Sequence, residues 1–399
     1  MHVVMFADQH VETSGGAQVA MRLQRTFLER AGHTVTIVAP RRHGHGLPGA
    51  EDEGYVDLPS IAVPTDREYS ALWPGRRALA AAERGIASRV AAGAPLPDLV
   101  HVEADYWGAV LGYRLARRLR IPVVHTMHNR VDVGLAATVP APRLALRLLN
   151  AWRRRALPGS GRGSDGWAYL RGLAAGASAV TAPSHHFARR LEEHGVFSPV
   201  DVVWNGIDDD ALADVAPPDT RGGLVWVGRM SPEKRLLPFL AAYADSGITL
   251  PVEVIGSGFE RQAAERLVRE RGIADRVTFA GRLPYRETLA RIAGSAALVQ
   301  TSIGFETQGM TPFEAAQLGT PAIVSDPDVA RELDGACWAV ASAADEPGRV
   351  AALAAALARA AADLARGAAP EPSARVLADF VQSSRTAAMI AIYERVLGR

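Results

Sequence analysis

The chain has 399 residues, with 44 Lys+Arg against 43 Asp+Glu, 48% hydrophobic and 22% charged residues. This composition excludes a long disordered or fibrous protein, and a formal charge of +1 offers no global field for nucleic acid. One cysteine, Cys337, excludes an internal disulfide and a multi-cysteine metal site, and no apolar run is long enough to span a bilayer.

Short β-branched runs alternate with helical patterns from end to end. The first series of strands is expected at Val3–Ala7, Thr34–Val38, Leu99–Val102, Val123–Thr126, Ala179–Ala182 and Val202–Trp204. The second is expected at Leu224–Val227, Val252–Ile255, Val277–Ala280, Leu298–Thr301, Ala322–Ser325 and Trp338–Val340. Nearly continuous apolar runs of this length are what buried parallel strands require. Helices fit between them, for example Ala17–Arg30 and Glu260–Glu270. Residues 206–223 break the series with Asp208-Asp209-Asp210, Pro217-Pro218 and Gly222-Gly223, and read as a linker. The organisation is therefore an α/β protein of two doubly wound, Rossmann-like domains, 1–205 and 224–373, with a cleft between their strand ends. A helix over 374–399 is free to cross back to the first domain. No secretory signal is evident, so the expectation is a cytoplasmic protein with peripheral membrane contact allowed.

Lys234 is the sole lysine, and asparagine occurs only at 129, 150 and 205. Where such avoided residues persist, a specific chemical need is the natural explanation. Lys234 lies in Gly228-Arg229-Met230-Ser231-Pro232-Glu233-Lys234, just past a strand. Ser231 and Pro232 suggest a helix start there, and Arg229 with Lys234 would make a diphosphate clamp on it. Gly304-Phe305-Glu306-Thr307-Gln308-Gly309-Met310-Thr311-Pro312-Phe313-Glu314 sets two carboxylates around a second expected helix start, capped by Thr311. Its amides near Gly309, Met310 and Thr311 suit an anion, Glu306 suits sugar hydroxyls and Glu314 suits a ribose diol. Thr311-x-x-Glu314 also reads as a capping box, which needs no ligand, and both readings stand. Thr13-Ser14-Gly15-Gly16 opens the first helix closely enough for a backbone approach to a ligand. His128 and Asn129 follow a first-domain strand, where functional residues collect, and His125 alternates into the core. Asp208-Asp209-Asp210 reads as a hinge or helix cap, and no metal is assigned to it.

These motifs in this order resemble a glycosyltransferase of the GT-B fold, in the large retaining family-four group. The resemblance rests on Glu306-x7-Glu314, Gly228-Arg229 with Lys234, Val254-Ile255-Gly256-Ser257-Gly258, Gly281-Arg282-Leu283 and Asn205-Gly206-Ile207-Asp208. It implies a UDP- or GDP-sugar donor. Arg229, Lys234, Gly16 and the amides at Gly309–Thr311 would hold the diphosphate. Glu314 would hold the ribose, Glu306 the sugar hydroxyls, and Arg282 and Leu283 would border the base. His128 would lie beside the reacting carbon. It also implies that no metal or other cofactor is needed. Gln308 stands where many members carry Phe.

The first domain resembles, more loosely, bacterial transferases that glycosylate diacylglycerol or phosphatidylinositol-type lipids. Tyr106 and Trp107 lie on the expected acceptor side. The helix over residues 140–157 would put Leu144, Ala145, Leu148, Leu149, Trp152 and Ala156 on one face. Arg143, Arg147, Asn150 and Arg154 would share the other, with Arg153 and Arg155 adding charge. That pattern suits an anionic membrane surface, and equally an ordinary helix packed on its domain. The expected function is transfer of a hexose, glucose or mannose, to a membrane lipid. The alternatives are a soluble small-molecule or natural-product acceptor, a donor epimerase, or a non-catalytic nucleotide-sugar-binding scaffold.

Overall fold

A computed structural model describes residues 1–13, 16–43, 54–63, 66–159, 161–216 and 220–399, with the backbone alone at 66–68 and 136–138. The chain forms two compact units: Met1–Gly206 with Gln382–Arg399, and Ile207–Val381.

The first unit runs β1 (His2–Ala7), α1 (Gly16–Arg30), β2 (Thr34–Pro40), β3 (Tyr55–Leu58), β4 (Ile61–Val63), β5 (Asp66–Ala71), α2 (Arg76–Ala91), β6 (Leu99–Glu103) and α3 (Trp107–Leu119). It continues through β7 (Val123–Thr126), α4 (Val131–Thr138), α5 (Pro142–Ala156), α6 (Gly166–Ala174), β8 (Ala179–Ala182), α7 (His185–Glu193) and β9 (Asp201–Val202). The second unit runs α8 (Asp209–Ala213), β10 (Leu224–Val227), a 3-10 turn (Pro232–Lys234), α9 (Leu236–Ser246), β11 (Val252–Ile255), α10 (Arg261–Glu270), β12 (Val277–Gly281) and α11 (Tyr285–Ala293). Then come β13 (Ala297–Gln300), α12 (Met310–Gln317), β14 (Ala322–Val324), α13 (Pro327–Glu332), β15 (Cys337–Ala339), α14 (Glu346–Ala365) and α15 (Ala374–Asp379); α16 (Gln382–Leu397) returns to the first unit.

Each unit is built on a parallel sheet, in the order β3-β2-β1-β6-β7-β8-β9 and β12-β11-β10-β13-β14-β15. Both orders reverse beside the unit's first strand, between β1 and β6 and between β10 and β13. That switch point, outside the carboxyl ends of the strands, is where doubly wound sheets bind ligands. The central strands β1, β6, β7, β8, β13 and β14 are buried on both faces. On one face of the first sheet, Met389, Ile392 and Tyr393 of α16 pack against Val3, Met5, Val35 and Leu99. Full burial of such side chains stabilises by about 1.5–3 kcal/mol each, so α16 belongs to the core of a unit from which it is distant in sequence.

All twelve expected strands are present, with ends shifted by no more than two residues. Three expectations change. Residues 206–223 are not a plain linker: Ile207 bridges to Val381, and Asp208 caps α8 by accepting the Asp210 N–H at 3.0 Å. The helix expected over 374–399 is two, broken at Phe380 and Val381, because buried Phe380 stacks on Phe313 at 4.2 Å and ends α15. The edge strand β3 and the hairpin β4–β5 were absent from the expected series.

Candidate functional site

The second unit gathers its candidate residues in the loops that leave β10, β11, β12 and β13. The expected helix start at Ser231 is absent. Residues 232–234 form a 3-10 turn, Arg235 takes a left-handed φ of 57°, and α9 begins at Leu236. Ser231 does not cap; its hydroxyl donates to Glu233 Oε1 at 2.5 Å. The turn carries Lys234 toward β13 instead. Its carbonyl accepts the Thr301 hydroxyl at 2.6 Å, and Thr301 accepts the Trp226 indole N–H at 2.9 Å.

Lys234 Nζ then donates to Glu306 Oε1 at 2.5 Å, joining the two loops that flank the β10–β13 switch point. Burial alone would raise the Glu306 pKa, but Lys234, with the Ser302 hydroxyl and Arg229, holds it below the usual range. Glu306 is therefore a carboxylate at neutral pH. Arg229 is more open: it pairs with Glu233 at 3.0 Å and leaves its side chain 57% exposed.

Gly228 and Gly256 sit where the loops after β10 and β11 touch. Gly256 has φ +133°, and a Cβ there would lie 1.9 Å from the Gly228 carbonyl oxygen. Arg282 is exposed and Leu283 half-buried after β12.

The expected Thr311 cap is also absent. Gly309 precedes the helix at φ +77°, and α12 starts two residues earlier than a Thr311 cap implies, at Met310. The left-handed glycine turns the chain sharply enough to start the helix without a side-chain cap. The first-turn amides of Met310 and Thr311 have no helical carbonyl to bond, and Pro312 has no amide to orphan. No capping box forms either. Glu314 is buried and accepts the Tyr285 hydroxyl at 3.0 Å. Burial pushes it up to about 7, against that hydrogen bond. Tyr285, which closes this contact, was not singled out by sequence; Gln308 is buried beside Gly309.

In the first unit, Ser14 and Gly15 lie outside the described residues, and Gly16 opens α1, exposed. Asp8, just past β1, accepts the backbone N–H groups of Asp105, Tyr106 and Gly108 at 2.8, 3.0 and 2.8 Å. It thereby caps α3 from another strand, and burial pushes it up to about 7. Tyr106 and Trp107 are half-buried, and the Trp107 indole donates to the Asp8 carbonyl at 2.6 Å. Asp105 Oδ2 accepts from the His128 and Asn129 amides at 3.1 and 2.9 Å, and from the Asn129 side chain at 2.7 Å. His128 Nε2 bonds to Glu103 Oε2. Burial would lower the His128 pKa, but Glu103, Asp105 and Asp8 outweigh it and raise it. His125 is buried between the Tyr113 hydroxyl at 2.9 Å and the Ala104 carbonyl at 2.9 Å, a packing role.

Helix α5 is rotated from the expected orientation. Asn150, Arg153 and Ala156 are buried, whereas Leu144 and Leu148 are 56% and 62% exposed. The Asn150 amide donates to the Leu146 and Asp165 carbonyls at 2.9 and 3.0 Å. Arg153 Nη2 reaches Asn150 Oδ1 at 3.4 Å and the Gly161 carbonyl at 3.3 Å. These bonds tie down the loop after the helix and turn Asn150 and Arg153 inward, while Arg143, Arg147 and Arg154 stay exposed. Arg153 is thus a structural residue, not a membrane-facing one. Arg147, Arg154 and Arg155 remain exposed, and Trp152 is half-buried. With Trp73 and Arg76 of the neighbouring segment, Leu148, Trp152 and Arg155 line a groove of about 490 Å³. Among the described residues no helix is long and apolar enough to cross a membrane, and no group of three His, Cys, Asp or Glu could hold a metal ion.

Two family models match: Glycosyltransferase Family 4 over residues 14–211 and Glycosyl transferases group 1 over residues 209–364. The chain is 28% identical over 340 residues to 2-deoxystreptamine N-acetyl-D-glucosaminyltransferase of Streptomyces fradiae, spanning 77% of this chain and 73% of that protein. It is 23% identical over 342 residues to alpha-monoglucosyldiacylglycerol synthase of Streptococcus pneumoniae, spanning 81% and 70%. Among solved structures, Anabaena Alr3699/HepE in complex with UDP superposes with a TM-score of 0.65 at 15% identity, covering 99% of this chain and 100% of that one. Two parallel-sheet Rossmann-like units carrying these two domains make the chain a GT-B glycosyltransferase of the family-four group.

Proposed function

We propose that this enzyme is a retaining transferase that moves a hexose, glucose or mannose, from a UDP- or GDP-sugar to an acceptor hydroxyl. The observation that carries this reading is the Lys234–Glu306 pair across the β10–β13 switch point, next to the open first turn of α12. A nucleoside diphosphate suits such a place. Its phosphates would take Arg229, Lys234 and the Met310 and Thr311 amides, and its ribose diol would take Glu314. Glu306, held ionised, would accept hydroxyls of the sugar, and His128 would serve the reacting carbon.

In the step itself the bond from the sugar carbon to the diphosphate oxygen breaks, and a bond to the acceptor oxygen forms on the same face. The acceptor proton passes to the leaving phosphate. Two cations and a helix N-terminus stabilise the departing charge, so no metal is required. Thermal shift with UDP, GDP and ADP identifies the base, because only a nucleotide bound to the folded state stabilises it. No response from any of them refutes the donor site. NMR of the product anomer tests retention, and activity in EDTA tests metal independence; an inverted product or EDTA-sensitive turnover refutes the respective claim.

For the acceptor we favour a membrane lipid such as diacylglycerol or a phosphatidylinositol-type lipid. The exposed stripe Leu144, Leu148, Arg147, Arg154 and Arg155, with Trp73 76% exposed beside it, supports this. Helix α5 carries no acidic residue, so an anionic surface meets no repulsion along it. A small-molecule acceptor is the second reading, favoured by the Streptomyces fradiae relative. Turnover of a soluble aminocyclitol without lipid or detergent would select it.

A further inference from the structure

His128 rests on one carboxylate, and that carboxylate is itself held. Glu103 ends β6 and is 6% exposed. One oxygen meets His128 Nε2; the other lies 3.1 Å from Nε2 of His101, two residues back on the same strand. His101 Nδ1 is 2.7 Å from the Tyr393 hydroxyl of α16, and that hydroxyl accepts from Gln24 Nε2 of α1 at 3.1 Å.

The protons in this chain can be assigned. His101 is fully buried, and burial lowers its pKa to about 4, so the ring is neutral at pH 7. A neutral imidazole has one N–H. Nε2 faces a carboxylate, which only accepts, so the proton sits on Nε2. Nδ1 then accepts, and its donor is the Tyr393 O–H, which burial keeps protonated. Thr126 Oγ1, 2.7 Å from His101 Nε2, shares that N–H and bonds Thr181 Oγ1 at 2.7 Å. The donors run from Gln24 to Tyr393 and from Tyr393 to His101, and the His101 Nε2–H, bonded to Thr126, lies 3.1 Å from Glu103. The series ends on the carboxylate that faces His128.

We propose that Glu103 is a positioning residue for His128, and that the C-terminal helix, through Tyr393 and His101, fixes the rotamer and charge of Glu103. The proposal rests on the reading that His128 serves the reacting sugar. It makes α16 part of the support of the reaction centre. Burial would raise the Glu103 pKa, but His101 and His128 hold it below the usual range. The other groups facing His128 are Asp105 and Asp8, from the loops after β6 and β1; His125 of β7 faces Glu103. Neither aspartate bonds the His128 ring. Asp8 is occupied with the α3 amides and Asp105 Oδ2 with the His128 and Asn129 amides, while Glu103 bonds Nε2 of the ring directly.

The test is nitrogen-detected NMR of the histidine rings in the full chain across pH 5–9, with kcat and KM measured over the same range. In the unmodified enzyme His101 should stay in the Nε2–H form, and His128 should titrate above its ordinary value of 6.5. Glu103→Gln should bring the His128 midpoint down and cut kcat about tenfold, with donor KM changed by less than about twofold. Tyr393→Phe should move the midpoint the same way by a smaller step and free the His101 tautomer. It removes one oxygen atom and keeps the ring, so it decides the matter if Glu103→Gln does not fold. A His128 midpoint and kcat unmoved in either folded variant overturns the proposal. His128→Asn separates the two readings. Full activity in it removes the role of His128, whatever the ring titrations show. Loss of activity in it, with an unmoved midpoint in Tyr393→Phe, overturns the relay alone.

Discussion

Replacing Glu314 with glutamine should make the protein more stable and a poorer binder of nucleotide, and the first effect should depend on pH. Glu314 is 5% exposed and its pKa is pushed by burial from 4.5 to about 7. A carboxyl whose folded pKa is raised contributes stability that is fully present below its unfolded value and is lost as pH rises through the folded one. Wild type should therefore lose stability from about pH 4.5 to above pH 7, where a buried negative charge is forced on the α12 site. The shift of about 2.5 pH units from 4.5 to about 7 corresponds to roughly 3 kcal/mol at full ionisation. Of this, about 2.5 kcal/mol should develop between pH 5 and pH 8. Glutamine cannot ionise, and its amide oxygen still accepts the Tyr285 hydroxyl. Urea denaturation of both proteins at pH 5 and pH 8 measures the effect. Taking the difference between them at each pH cancels the other titrating groups. Glu314→Gln should gain about 2.5 kcal/mol on wild type between the two pH values, while calorimetry shows weaker UDP or GDP binding. A difference that is equal at both pH values would refute the reasoning and leave Glu314 as an ordinary hydrogen-bond acceptor.

Lys234→Ala removes the cation that holds Glu306 ionised, and should lower kcat by about 10²–10³, the scale for losing one preorganised charge at a leaving group. Near-normal turnover would refute the clamp. Gly256→Ala places a methyl 1.9 Å from the Gly228 carbonyl oxygen at φ +133°, and should cost roughly 2 kcal/mol or more in denaturation. A neutral result would mean that the β10 and β11 loops separate freely. Arg154→Glu with Arg155→Glu should abolish co-sedimentation with vesicles containing phosphatidylglycerol, with little change in stability. Arg153→Met should do the reverse: roughly 1–3 kcal/mol lost with vesicle binding kept, because Arg153 is buried and bonded to Asn150 and Gly161. Equal vesicle effects from both would contradict the observed rotation of α5.

The parallel core was legible because its physics is local. A strand buried on both faces must be apolar throughout, and Val123–Thr126 or Leu224–Val227 read as such without knowing their neighbours. Edge strand β3 is half-covered and carries Asp57, and β4 is an apolar run of only three residues, too short to read as a strand. The motif loops were legible as composition but not as geometry. Ser-Pro and Thr-Pro both look like helix starts, yet a 3-10 turn displaces the first, and a left-handed glycine moves the second two residues earlier. In each case a backbone conformation outranked the side-chain cap, and no residue type announces that choice.

Helix α5 shows a different limit. A helical wheel yields two stripes, but which one turns inward depends on what the helix packs against. Asn150 was the available clue: one of three asparagines in the chain, on the nominally charged stripe. An amide retained where the chain otherwise avoids it has partners to satisfy, and here they are the Leu146 and Asp165 carbonyls. The support of His128 had no such clue. Tyr393 lies 292 residues from His101 and 369 from Gln24. No spacing rule connects them; only a core that brings α1, β6 and α16 onto one sheet face does. The motif residues could therefore be named from the sequence, while the residues that set their charge and orientation emerge only once the sheet is assembled.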